Sequence, residues 1–408
     1  GPVAAAVPHS GQTQCYDDTK QLDKCPEPGE PFYGQDGNYA HLRPPRYVKL
    51  DAQGNELPDT ATLEDGWVAV RDEVTRLVWQ IRWSAQGDEL SDKDKTYSWC
   101  GTDAAGNEQG GCFGSSSFIV DTLQFLTELN TTTTAYGSYS DWRLPTVAEL
   151  ISLVDYGRTG PAIDTTAFPN AQARYFWSSE MQDATAVWTV GFAGGDMLPQ
   201  QPTSYQVSAR AVRGPQLFHD FKDNGDGTVT DGATGLMWTS TPVSDDSGSD
   251  FTWEQALAVA EAARVANYDD WRLPSIKELA SILDLTPGEA ALPSVFSGTR
   301  GVAFWSATTY LSAPDKAWYL IPAFKKLSYT TKTNRNKALL VRDIPQPVLA
   351  GDVDGSGAVE LADAVILLDI LAGIPVPDGV TVHARAAVDG SGRLGSADIV
   401  YILRQLAQ

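Results

Sequence analysis

Asp141-Trp142-Arg143-Leu144-Pro145-Thr146 returns later in the chain as Asp270-Trp271-Arg272-Leu273-Pro274-Ser275, and this recurrence decides the fold. The likeness continues on both sides. Upstream, Val70 to Trp79 (VRDEVTRLVW) matches Val229 to Trp238 (VTDGATGLMW). Downstream, Tyr175-Phe176-Trp177-Ser178-Ser179 matches Ala303-Phe304-Trp305-Ser306-Ala307, and Val187-Trp188-Thr189-Val190 matches Ala317-Trp318-Tyr319-Leu320. Each copy closes on a strand-like run, Ala209 to Arg213 and Ala338 to Arg342. From the WRLP Trp onward the spacings agree to within two residues, 35 and 34 to the next marker Trp and then 11 and 13. Two copies of this length read as two tandem globular domains, because a solenoid needs shorter and more numerous units.

Local chemistry fills in each copy. Thr146-Val147-Ala148-Glu149 and Ser275-Ile276-Lys277-Glu278 are capping boxes: the hydroxyl accepts the third helical amide, and the Glu returns to the cap's own N–H. A helix therefore starts after each WRLP, with Leu150, Leu153 and Val154, or Leu279, Ile282 and Leu283, on its apolar face. A second helix precedes each, over 118–130 and 253–266. The remainder reads as short aromatic-rich strands separated by Gly, Asn, Asp and Ser turns. Each copy is thus α+β, with its tryptophans in the core. Arg143 and Arg272, each set between a Trp and a Leu, read as internal ion-pair partners.

Charge narrows the function. Thirty basic against fifty-two acidic residues leave a net charge of −22 over 408 residues. That balance argues against nucleic acid and anionic membranes as partners, since phosphate neutralisation needs the opposite sign. With 42% hydrophobic residues the chain can build real cores, yet no run reaches the ~18 apolar residues a membrane span requires. Gly1-Pro2-Val3-Ala4 reads as a mature end after signal cleavage or as a tag-removal scar. All four cysteines, Cys15, Cys25, Cys100 and Cys112, lie in the first third, and none forms a CxxC pair. Each consecutive pair closes a short loop, so local disulfides in an oxidising compartment are the simplest reading; four buried thiols are the alternative. Asn130-Thr131-Thr132 is a formal glycosylation acceptor of a kind that chance produces often.

The ordered set D-W-R-L-P-[ST]-x-x-E-L, F-W-S, [AV]-W and V-R resembles the Lcl C-terminal domain family over residues 30–345. The resemblance implies a C-type-lectin-like fold and a place among secreted bacterial adhesins and surface proteins. The WRLP segment is also similar to formylglycine-generating enzymes, but those need cysteines late in the domain and this chain has none after Cys112. The sugar triplets of calcium-dependent lectins are missing too; the nearest, Gln201-Pro202-Thr203, lacks the carboxylate.

The chain changes character after the stiff Pro345-Gln346-Pro347 linker. From Asp352 to Asp363 a twelve-residue loop offers Asp352, Asp354, Ser356, Glu360 and Asp363 at calcium-ligand positions, the Ala358 carbonyl at the seventh, and Gly357 at the sharp turn. A second loop, Ala387 to Asp398, repeats Asp389, Ser391, the Arg393 carbonyl and Asp398, but has Ala387 in the first position and Gly395 in the ninth. An apolar helix follows each. Two such units resemble a type I dockerin, which implies docking onto a cohesin-like protein, with Leu361, Ala362, Ser396 and Ala397 choosing the partner. Asp223-Asn224-Gly225-Asp226 with Asp231 has a calcium-like look as well, but DGT-V-x-D reads as a turn between two strands.

Phe324-Lys325-Lys326-Leu-Ser-Tyr329-Thr-Thr-Lys332-Thr-Asn334-Arg335-Asn-Lys337 holds five basic residues and no acid, a local reversal in an acidic chain. It reads as a patch for an anionic glycan or an acidic protein surface, with Tyr329 or Phe324 stacking and Lys325, Lys326, Lys332, Asn334 and Arg335 as further ligand-binding residues; the alternative is a solvated hairpin. Its counterpart, Phe192 to Tyr205, shares almost nothing with it, as expected if loops carry specificity.

Four scattered histidines and the absence of GxSxG, HExxH and P-loop motifs point away from an enzyme. The expected architecture is α+β: an N-terminal extension (1–45) with a disulfide loop, packed on the first of two tandem C-type-lectin-like domains (46–214 and 215–345). A linker and a small all-α calcium-binding dockerin-like domain (346–408) complete it. The expected function is recognition and attachment outside the cell, with Ca2+ as cofactor and a cohesin-like protein, a copy of itself or an anionic glycan as partner. Self-assembly into an extracellular filament or surface layer is the rival.

Overall fold

The computed structural model describes residues 6–82, 90, 92–102, 108–112, 121–131, 136, 139–203, 207–216, 219–243, 248, 250–344, 350–354, 359–376, 382, 386–388 and 394–407. The chain divides into two compact units, one from Ala5 to Arg342 and one from Asp343 to Gln408.

The sequence repeat is also a structural repeat. In the first copy β1 (Tyr47–Leu50), β2 (Ala69–Asp72) and β3 (Val78–Gln80) form an antiparallel sheet completed by β9 (Val212–Arg213). Between β3 and β9 lie the hairpin β4 (Cys100–Thr102) and β5 (Glu108–Gly110), then helices α1 (Thr122–Thr131) and α2 (Val147–Leu153). A three-stranded sheet follows, β6 (Tyr175–Asp183), β7 (Ala186–Gly191) and β8 (Met197–Gln200). The second copy returns the order: β10 (Phe221–Asp223), β11 (Thr228–Asp231), β12 (Leu236–Thr239) and β16 (Val341–Asp343) make the first sheet, with α3 (Trp253–Ala262) and α4 (Ile276–Ser281) between. The second sheet is β13 (Phe304–Thr309), β14 (Lys316–Ile321) and β15 (Lys326–Thr331).

Marker residues repeat their bonds as well as their names. Trp177 donates its indole N–H to the Tyr97 carbonyl at 2.8 Å, and Trp305 donates to Phe251 at 2.9 Å. Trp99 donates to Ser178 and Trp253 to Ser306, at 2.9 and 2.8 Å. Trp99 and Trp253 are therefore equivalent. In the second copy α3 starts at Trp253 itself, whereas in the first the disulfide-closed hairpin intervenes before α1. Both capping boxes form, with the Thr146 and Ser275 hydroxyls accepting from Glu149 and Glu278 amides. Each Glu also clasps the arginine of its WRLP: Arg143 reaches Glu149 at 2.6 and 2.7 Å, and Arg272 reaches Glu278 at 2.7 and 2.6 Å.

One core cluster spans both copies, while a second, with Tyr97, Trp99, Trp142 and Trp177, belongs to the first copy alone. Val147, Leu150, Ile151 and Leu153 of α2 are all buried, as are Ile276, Leu279 and Ala280 of α4. A short helix apolar on more than one side needs neighbours on each, and here α2 and α4 pack on one another as well as on their own sheets. Trp79, Trp188, Trp238 and Trp318 join the same cluster, and Tyr156 of the first copy meets Trp318 of the second edge-on at 5.4 Å.

The extension requires a correction. Expected on the first copy, it lies chiefly on the second and bridges to the first. Gln12 bonds both backbone groups of Thr309 and the Tyr156 carbonyl. Asp36 accepts from the Thr308 hydroxyl at 2.6 Å, Glu261 accepts from the Gly29 amide, and Arg43 pairs with Glu278 at 3.0 Å. The physical reason is the missing hairpin. In the first copy Gly101 and Gly110 press backbone so close to Trp99 that an added Cβ would lie 2.6 and 2.7 Å from ring atoms. With no such hairpin after Trp253, the extension supplies the cover instead, bringing Phe32 within 6.3 Å of that ring.

Candidate functional site

The C-terminal unit is built on α5 (Leu361–Ala372) and α6 (Ser396–Leu406), which pack together over Val353, Ala364, Leu367, Ala386 and Ile402. Gly373, at φ 71°, takes the left-handed conformation that ends α5. The two loop–helix segments match. Asp363 accepts the amides of Val353 at 2.6 Å and Glu360 at 2.7 Å, and Asp398 accepts those of Val388 and Gly395, both at 2.7 Å. Each aspartate thus ties the start of its loop to the first turn of its helix.

In the first loop the carboxylate oxygens of Asp352, Asp354 and Asp363 lie within 4.8 Å of one another, with Asp352 and Asp363 buried. Three carboxylates grouped this closely offer a hard divalent cation the oxygen ligands it prefers. This donor set fits calcium, with Glu360 at the helix entrance as a further oxygen. Ser356 and Ala358, and in the second loop Asp389, Ser391 and Arg393, lie outside the described residues. In that second loop Ala387 is buried where the first has Asp352, so it brings no carboxylate there.

Leu361, Ala362, Ser396 and Ala397 are all exposed at the leading ends of the two helices. They continue into an apolar stripe that motif reading overlooked: Val365, Leu368 and Leu371 on α5, then Ile374, with Val400, Leu403 and Leu406 on α6. Each of these seven is between 44% and 53% exposed, and Leu361 is 62% exposed. The signal was present in Leu361-Ala-Asp-Ala-Val-Ile-Leu-Leu-Asp-Ile-Leu-Ala372, a helix apolar nearly all round, which demands cover on more than one side.

The basic stretch does not gather into one patch. Lys332 is 2% exposed, its ammonium 3.9 Å over the Trp253 ring and donating to the Asp17 carbonyl at 2.7 Å. Burial holds it down at about 7, with Asp17, Asp18 and Asp315 pulling it back up. Its assignment to a ligand surface is therefore corrected: the end of the β14–β15 hairpin turns inward against the extension. Arg335 donates to the Asp250 carbonyl, Lys337 pairs with Asp250 at 2.8 Å, and Asn334 bonds Thr330. Lys325 is bonded to the Thr286 carbonyl, and Tyr329 stacks on Tyr310 with centroids 3.7 Å apart. Phe324 stands out at the turn, 69% exposed, beside half-buried Lys326. A run of like charge along the chain says nothing about which carbonyls and rings each side chain will meet.

Cys15 is bonded to Cys25 and Cys100 to Cys112. Asp223 and Asp226 accept the amides of Gly225 and Thr228 within the turn joining β10 to β11. Sequence reading also missed a cavity between the copies, walled in part by Glu180, which a single sequence does not mark.

The Lcl C-terminal domain family matches residues 68–213 and 227–342, while no curated protein and no solved structure matches this chain. The matched segments coincide with the two structural repeats and cover well over half of the residues, so the protein belongs to the Lcl C-terminal domain family.

Proposed function

We propose that this is a secreted, non-catalytic surface or matrix protein for recognition and attachment, which docks a partner through a calcium-loaded, dockerin-like C-terminal unit. The observation that carries the reading is the exposed apolar stripe on α5 and α6 beside three converging carboxylates. Large apolar side chains left exposed in such number on two short helices are a common mark of an interaction surface. Calcium shared by Asp352, Asp354 and Asp363 would fix the loop that enters α5, and with it Leu361 and Ala362. Family membership is consistent with a surface or adhesion protein, and two disulfides agree with an oxidising compartment. Among the described residues no helix is long and apolar enough to cross a membrane.

The repeat unit, for which we retain the C-type-lectin-like reading, would carry recognition. With Lys332 buried, an anionic glycan would be left Phe324, Lys325, Lys326 and the edge of Tyr329. The partner of the stripe is a cohesin-like protein or a second copy of this chain, and the second copy makes the protein a structural subunit.

Light scattering and negative-stain microscopy of the full chain, in millimolar calcium and then in chelator, test the proposal. A monodisperse particle in both conditions supports attachment to a separate partner, to be captured with cohesin domains. Calcium-dependent filaments or arrays support self-assembly. Unchanged calcium affinity in Asp352→Asn, or no calcium binding at all, would sink the docking mechanism.

A further inference from the structure

Between α2 and α4, on the boundary of the two copies, lies a cavity of about 370 Å³. Its wall is mostly apolar, including Val7, Leu77, Phe221, Ile282, Leu283 and Leu285, with Glu180 entering from the first copy and Asp284 from the second. A volume near 300–1,000 Å³ with an apolar wall and few polar groups is the usual form of a small-molecule site.

The repeat shows why this cavity differs from the rest of the interior. Glu180 is the third residue after Trp177, as Thr308 is after Trp305. Each reaches the first amide of the helix that follows its WRLP turn: Glu180 Oε2 accepts from Val147 at 2.6 Å, and Thr308 Oγ1 accepts from Ile276 at 2.9 Å. In the second copy this position is sealed, since the Thr308 hydroxyl donates to Asp36 and Gln12 takes both backbone groups of Thr309. In the first copy the equivalent group is a carboxylate, and it faces the cavity.

That carboxylate lacks a counter-charge among the described residues. Glu149, also on the wall, is matched by Arg143. Of the two basic groups on the wall, Lys277 has its ammonium anchored on the Ser152 carbonyl at 2.8 Å, and His219 is held between Asp231 and the Ser281 carbonyl. Burial pushes Glu180 up to about 7; the Val147 amide opposes this, and the charges of Glu149 and Asp284 add to it. The polar end of the cavity is thus short of positive charge.

We propose that this cavity binds a small organic cation, a primary amine on an apolar body, with its ammonium on Glu180 and its body against Leu77, Phe221 and Leu283. The site is independent of the calcium loop. Phenethylamine, phenethyl alcohol and phenylacetate, titrated into the full chain by calorimetry, provide the test. Saturable binding of the amine is expected, at least ten-fold weaker binding of the alcohol and none of the acid, unchanged by chelator. Glu180→Gln keeps an acceptor for the Val147 amide and should weaken the amine ten-fold or more without a matching loss of melting temperature. Ala148→Phe, which fills the cavity, should abolish binding of amine and alcohol alike. No saturable amine binding at millimolar concentration, or equal affinity for amine and acid in the native chain, would overturn the assignment, as would an undiminished affinity in Glu180→Gln.

Discussion

Glu278 concentrates three jobs in one side chain: it completes the capping box, clasps Arg272 and receives Arg43 from the extension. Burial alone would raise its pKa, but the arginine charges and hydrogen bonds override it and hold the carboxyl at about 2, against an ordinary 4.5. The stability this represents is fully present above about pH 4.5 and drains away as pH falls toward 2, about 3 kcal/mol in all. Glu278→Gln should lower stability at pH 7 by a similar amount and flatten the acid limb, as read from urea midpoints at pH 3, 5 and 7. Lys332 has the opposite origin. Burial depresses its ammonium from 10.5 to about 7, so the unfolded chain binds that proton more readily, and stability should climb between pH 7 and 10.5. Lys277, held by burial at about 8, adds to the same slope. Lys332→Met should flatten part of that rise in denaturation curves at pH 7, 8.5 and 10.

At the scale of elements, each copy shields an equivalent tryptophan with a disulfide-closed segment. Trp99 lies under the β4–β5 hairpin closed by Cys100–Cys112, and Trp253 lies near the loop closed by Cys15–Cys25, through Lys332 and Asp17. Replacing Cys15 and Cys25 with Ser frees a short loop in the unfolded chain, at a cost of ~3 kcal/mol. The expected result is a lower melting temperature and a red shift of tryptophan emission before global unfolding. An unshifted spectrum with a lowered melting temperature would place the effect in the unfolded chain alone. Capping boxes and WRLP arginines were readable beforehand because their partners lie within six residues. Glu261 and Gly29, or Gln12 and Thr309, were not, because residues far apart in sequence meet only once both copies are folded.

At the scale of the whole molecule, the units Ala5–Arg342 and Asp343–Gln408 have separate cores. Calorimetry should therefore resolve two transitions. If calcium binds the acidic loop, only the C-terminal one should rise with added calcium, since a ligand stabilises the unit whose native state it binds. Asp352→Asn should remove that rise and leave the repeat-unit transition in place; Ala387, lacking a carboxylate, implies that the second loop alone does not restore it.

The sequence by itself determined the duplication, the helix starts, the buried tryptophans and the acidic loop, because each rests on local spacing: a capping box, a period of hydrophobic residues, a run of oxygen donors. Only the tertiary structure decided that the two copies share a core, that the extension lies chiefly on the second, that Lys332 turns inward, and that Glu180 faces a cavity while Thr308 is sealed. Those outcomes depend on which surfaces remain uncovered after each copy folds. A hairpin present in one copy and absent from the described residues of the other redirects the extension, and that geometry is carried by the packing of distant segments.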